Sequence, residues 1–194
     1  NNDACYPAIL TVGQIARALL SGSYDTDRLA LMMTQTGGGC RATNYISLIR
    51  RMLAAIGLPQ IPVISISLAG IESNPGFKWS LPLVLRSMMA LAYGDVLQRL
   101  LYRLRPYELQ PGAADELAAR WSERCKQALR WPLMPYYWYM LHRMIKDFGA
   151  LPISGENKPR VGVVGEILVK YHPQANNQVV RLIEAEGGEA VVPD

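Results

Sequence analysis

The chain carries three cysteines, and two of them sit where a reactive thiolate has a use. Cys40 closes the run Thr36-Gly37-Gly38-Gly39-Cys40, and Cys5 stands directly before Tyr6-Pro7. Each precedes a segment whose apolar residues recur at helical spacing. Helix N-terminal amides carry partial positive charge and favour a thiolate. A thiolate is the ligand that an iron–sulfur cluster requires. The glycines add permissive backbone, allowing positive φ and close approach to a ligand. Gly38, Gly39 and Arg41 thus join Cys5 and Cys40 as candidate cofactor-binding residues, with the two cysteines as candidate metal ligands.

Other chemistries fit the glycine loop less well. Gly37-Gly38-Gly39-Cys40-Arg41-Ala42 matches a dinucleotide fingerprint, which also wants an acidic residue about 20 positions on. No Asp or Glu occurs between Cys40 and Glu72. A P-loop is excluded because no Gly-Lys-Ser/Thr follows. Zinc is disfavoured by the lack of a Cys-x-x-Cys or a Cys/His pairing. Two thiolates do not complete a cubane, so further ligands must come from elsewhere. A shared cluster requires the Cys5 and Cys40 sulfurs within roughly 6–7 Å of one another.

The remaining polar candidates admit structural roles. Cys125, between Arg124 and Lys126 on a helix, reads as a bystander. His142 and His172 are isolated. The run Tyr136-Tyr137-Trp138-Tyr139 can wall a pocket, although packing in a core or interface is its commoner use. Glu166 interrupts the apolar sequence Val163 to Ile167, expected as strand, where a buried charge is costly without a partner. It is either an edge residue or a site carboxylate. Asn176 either caps the next helix or contacts a ligand.

The elements that position these residues follow from periodicity. A helix beginning at Pro7 ends at Ser21-Gly22. Leu29 to Met33 is a short continuous apolar run, expected as a strand covered on both faces. A second helix is capped by Thr43 or Asn44 and striped by Tyr45, Leu48, Ile49, Met52, Leu53 and Ile56. Ile61 to Leu68 is a further β-branched strand, and the alternation predicts parallel pairing. Leu81 to Leu104, Ala113 to Leu129 and Tyr136 to Phe148 read as helices. Arg160 to Val169 is expected as a strand, Gln174 to Glu186 as a helix and Glu189 to Val192 as the next strand. The expected fold class is α/β, with a parallel-sheet flavodoxin-like or Rossmann-like unit over 1–72, a helical section over 73–150 and the start of a second α/β unit over 151–194. The polar opening at Asn1 and the stop after Val192 make both outer units look truncated, as in a piece of a longer chain.

The bulk properties bound the function. The 194 residues are 50% hydrophobic and 19% charged, with a formal net charge of +4. The basic residues form only small clusters, at Arg50-Arg51 and at Arg99, Arg103 and Arg105. Such clusters are expected as solvated helix faces, and no nucleic-acid partner is expected. The longest apolar stretch is broken by Arg86, Asp95 and Arg99, so no membrane span is expected. An odd, sparse cysteine set points to a reducing, cytoplasmic setting.

Three segments together resemble a known family. Asn2-Asp3-Ala4-Cys5-Tyr6-Pro7-Ala8, Thr34-Gln35-Thr36-Gly37-Gly38-Gly39-Cys40-Arg41-Ala42-Thr43-Asn44-Tyr45 and Val161-Gly162-Val163-Val164-Gly165-Glu166-Ile167-Leu168-Val169-Lys170 are similar to the long 2-hydroxyacyl-CoA dehydratase activase-related proteins. The resemblance implies an anaerobic, cytoplasmic system in which ATP hydrolysis by actin-like-fold modules drives low-potential electrons through iron–sulfur clusters. It implies cluster ligation by Cys5 and Cys40, other domains of the same long chain as partners, and a CoA ester as a further partner. The ATPase motifs are not in this sequence, and Cys125 matches no family motif. Two alternatives stay open: a non-catalytic interaction or scaffold domain, and a CoA-ester or nucleotide-binding domain using the Gly37–Cys40 loop.

Overall fold

Tyr6–Leu20 forms helix α1, with Cys5 at its N-cap in extended conformation and Pro7 in the first turn, where its missing N–H costs nothing. The computed structural model describes residues 5–35, 44–66 and 80–193, and the chain divides into two compact units, Asn1–Lys78 and Trp79–Asp194.

In the first unit, α1 is followed by strand β1 (Leu31–Thr34), helix α2 (Tyr45–Ala55) and strand β2 (Val63–Ile66). The strands pair in parallel, Leu31 opposite Val63 and Thr34 opposite Ile66, as the alternation predicts. One core joins Leu19 of α1, Ile46, Ile49 and Leu53 of α2, and Val63 of β2, with Leu31 and Met33 packed against it. Both helices therefore cover the same face of the strands. The expectation of a strand buried on both faces is corrected here: along β1, half-buried Leu31 and Met33 alternate with exposed positions, and Met32 is 51% exposed. α2 starts where predicted, but its N-cap Asn44 makes no side-chain capping hydrogen bond.

The second unit opens with three helices: α3 (Leu81–Leu104), α4 (Ala113–Ala128) and α5 (Met134–Gly149). They pack around Tyr93, Leu117, Trp121, Cys125, Met144 and Phe148. Ser80 caps α3 by accepting from the Leu83 N–H, and Glu108 caps α4 by accepting from the Gly112 and Ala114 amides. The stretch after α5 is tied down: Leu109 and Ser154 amides bond Pro152 and Tyr107 carbonyls.

A small parallel sheet follows, strand β3 (Arg160–Gly162) beside strand β4 (Glu189–Val191), with helices α6 (Ile167–Tyr171) and α7 (Val179–Ala185) between them. Tyr102 of α3 packs on the core of this sheet with Val163, Val180 and Ala190. The expected strand Arg160 to Val169 is thus corrected. It stops at Gly162, the chain bends at Gly165 with φ +150, and α6 begins at Ile167. The expected helix from Gln174 begins later, at Val179. The chain is a mixed α/β protein with two small parallel sheets.

Candidate functional site

The carboxyl ends of β1 and β2 are held together by two bonds. The Gln35 N–H donates to the Ile66 carbonyl at 2.8 Å, and the buried Ser65 hydroxyl donates to Gln35 Oε1 at 2.7 Å. Ligands of open parallel sheets bind beyond such ends. The side chain of Tyr45, the first residue of α2, reaches the N-cap of α1: Cys5 Sγ lies 3.9 Å from Tyr45 Oη. Cys5 is half-buried and free, so a thiol with partial solvent access sits at a helix N-cap beside the start of a second helix. It is a chemically suitable soft ligand, and the one cysteine of the first unit among the described residues. Among the described residues no three His, Cys, Asp or Glu side chains gather as a metal site.

Gly38, Gly39, Cys40 and Arg41 lie outside the described residues, and with them the Cys5–Cys40 distance. Cys125 is buried among α3, α4 and α5, and burial pushes its thiol up to about 11, which suits a packed bystander.

Two sequence candidates in the second unit receive structural roles. Glu166 is not a charge inside a strand. It is exposed and N-caps α6, accepting from the Val169 N–H at 3.0 Å. Asn176 donates to the Val169 and Lys170 carbonyls at the end of the same helix and accepts from the Val179 N–H. Between them they fix a five-residue helix that lacks the length to hold itself. His172 accepts from the Ala175 amide at the C-terminal end of α6, and His142 is exposed on α5.

The structure also assembles polar groups that the sequence did not flag. Arg105, expected on a solvated face, is 7% exposed. Its guanidinium binds Glu184 of α7 through two bonds of 2.8 Å and Asp115 of α4 at 3.0 Å. Arg181 adds a second fork onto Asp115. Burial works against ionised Asp115, but hydrogen bonds from Arg181 and Arg105 prevail and hold its carboxyl below the usual range. Tyr107 donates to buried Glu189 at 2.8 Å, and Arg160 pairs with the same carboxylate. These partners are as much as 82 positions apart in sequence, a separation that no local pattern registers. A cleft of about 250 Å³ lies between α3 and β4, lined by Arg99, Arg103, Tyr102, Arg160 and Tyr171. No described helix is long and apolar enough to cross a membrane.

Searches of protein-family models, of curated proteins and of solved structures find no match to this chain. What fold and geometry define on their own is a mixed α/β chain with a thiol at one edge of its first unit.

Proposed function

We propose that this chain is a portion of a 2-hydroxyacyl-CoA dehydratase activase-related protein. Its first unit is the edge of a flavodoxin-like domain that supplies Cys5 and Cys40 to an iron–sulfur cluster. The observation that carries this reading is the approach of Cys5 Sγ to Tyr45 Oη at 3.9 Å. Cys40 precedes Tyr45, the first residue of α2, by five positions in the sequence. When bound, such a cluster supplies one-electron transfer at low potential. The chain's own part is to hold Cys5 at the N-cap of α1, whose amides stabilise a thiolate, and to supply Cys40 from the segment ahead of α2. The remaining ligands, the ATPase modules and the CoA ester belong in this reading to the longer chain, and the setting is anaerobic cytoplasm.

Anaerobic reconstitution of the longer chain with iron and sulfide tests it. Visible absorption and EPR signals of a cluster are expected, and they fall in Cys5→Ala and Cys40→Ala but persist in Cys125→Ala. Absence of any cluster, or signals indifferent to both substitutions, overturns it.

A second reading, an interaction domain, is favoured by one observation. On α3, Leu81, Met88 and Leu91 lie along one side and are 72%, 64% and 75% exposed. Contiguous exposed apolar surface marks partner contact. Side-chain footprinting that shows Met88 protected in the longer chain, relative to this one, supports it. Equal labelling in both removes it.

A further inference from the structure

The groove between α4 and α5 has a volume of about 290 Å³. Trp121, Arg124 and Gln127 line it from α4, and Tyr136, Tyr139 and Arg143 from α5. The spacings are i, i+3, i+6 on one helix and i, i+3, i+7 on the other, so each set occupies one side of its helix. Trp121 is 2% exposed, and its indole Nε1 finds no hydrogen-bond acceptor among the described residues. An indole nitrogen only donates, and a buried donor left unpaired is costly. It is the one such side-chain atom among the described residues.

The surroundings define what would satisfy it. Arg124 lies 5.0 Å over the Trp121 ring and approaches Asp147 at 3.6 Å. Arg143 is exposed and enters no ion pair with a described residue. Two guanidiniums against one carboxylate leave a single positive charge, which suits a monoanion better than a dianionic phosphate. The Tyr136 and Tyr139 rings stack at 6.2 Å, and with buried Met140 they offer an apolar wall. A cavity of about 150 Å³ holds benzene, so a groove about twice that size admits a ring-sized body with a charged group attached.

We propose that this groove binds a small monocarboxylate carried on an apolar, ring-sized body, with Arg143 and Arg124 meeting the carboxylate and the Trp121 indole N–H donating to the ligand. Nε1 is closed to solvent as the groove stands, so its bond to the ligand requires the exposed Gln127 and Arg124 side chains to shift, Arg124 turning from the indole toward the carboxylate. The site belongs to the second unit and does not depend on any cluster at Cys5.

The test uses the full 194-residue chain, ¹⁵N-labelled, and follows the indole N–H resonances by NMR. The Trp121 resonance is assigned by elimination with Trp79→Phe, Trp131→Phe and Trp138→Phe. Phenylacetate is the probe, and phenylacetamide its neutral match. A saturable downfield shift of the Trp121 indole proton with phenylacetate is expected, with Kd raised about tenfold or more for the amide and for Arg143→Gln, the scale of one lost charge-assisted hydrogen bond. The amide comparison reads the charge requirement without any substitution. Four results overturn the proposal: no saturable shift, an equal response to the amide, a response unchanged in Arg143→Gln, or an equal response to inorganic phosphate.

Discussion

Replacing Arg105 by Met removes a cation whose side chain is 6% exposed and strands Glu184, whose side chain is 9% exposed. Met fills much the same volume along the aliphatic stem, so the loss is of charge and hydrogen bonds rather than of packing. Glu184 loses both of its 2.8 Å bonds, whereas Asp115 keeps the fork from Arg181. The damage therefore centres on one carboxylate. Breaking a buried pair from one side costs about 3–5 kcal/mol. A domain of this size has about 5–15 kcal/mol in all, so a large share of its stability is lost, with Tm lowered by roughly 10–25 °C. Urea unfolding followed by circular dichroism measures it. Replacing both partners with apolar residues, Arg105→Met with Glu184→Leu, leaves no stranded charge, and the double variant is expected to recover at least about 2 kcal/mol over Arg105→Met alone. A cost below about 1 kcal/mol for Arg105→Met, or a double variant no better than the single, would refute the reasoning.

Three further outcomes follow. The Asp115 carboxyl is held below its usual range, so its contribution is present above the unfolded value of about 3.9 and is lost as pH falls through the folded value; stability measured below about pH 4 should fall less steeply in Asp115→Asn than in the parent. Alkylation at pH 8 followed by mass spectrometry should label half-buried Cys5 well before Cys125, which is buried with its thiol pushed up to about 11; equal rates would show that the helical core opens readily. Glu108→Ala frees the Gly112 and Ala114 amides at the start of α4 and should cost about 1–2 kcal/mol in urea unfolding, with Glu108→Gln recovering part of it.

What could be read from the sequence depended on whether its cause was local. α3, α4 and α5 begin and end within a few residues of expectation, because helical periodicity is written in neighbouring positions. The parallel pairing of β1 with β2 followed from alternation of strand and helix. The stretch from Val161 to Val169 failed because an unbroken apolar run has no period to separate strand from helix. There the deciding signals were Gly165 and the capping carboxylate of Glu166, which looked instead like a charge in need of a site. Cys5 was placed correctly at a helix start by Pro7. Arg105 was misread because Glu184 is 79 positions away, and nothing near Arg105 distinguishes it from its exposed neighbour Arg103. Trp121 gave no sign of its unpaired nitrogen, since an indole in a helical stripe reads as core whether or not its donor is satisfied.

The position of Arg105 sets an order of events during synthesis. It lies on the turn that ends α3, while Glu184 lies on α7, near the other end of the unit. As the chain emerges from the ribosome, α3, α4 and α5 are all available before Glu184 is. Until then the side of the Arg105 guanidinium that meets Glu184 stays open to water, and Asp115 is its one carboxylate partner of the two. The pair that ties α7 to the end of α3 is therefore among the last contacts to form, and a ribosome stalled between α5 and α7 should display a unit more protease-sensitive than the finished one.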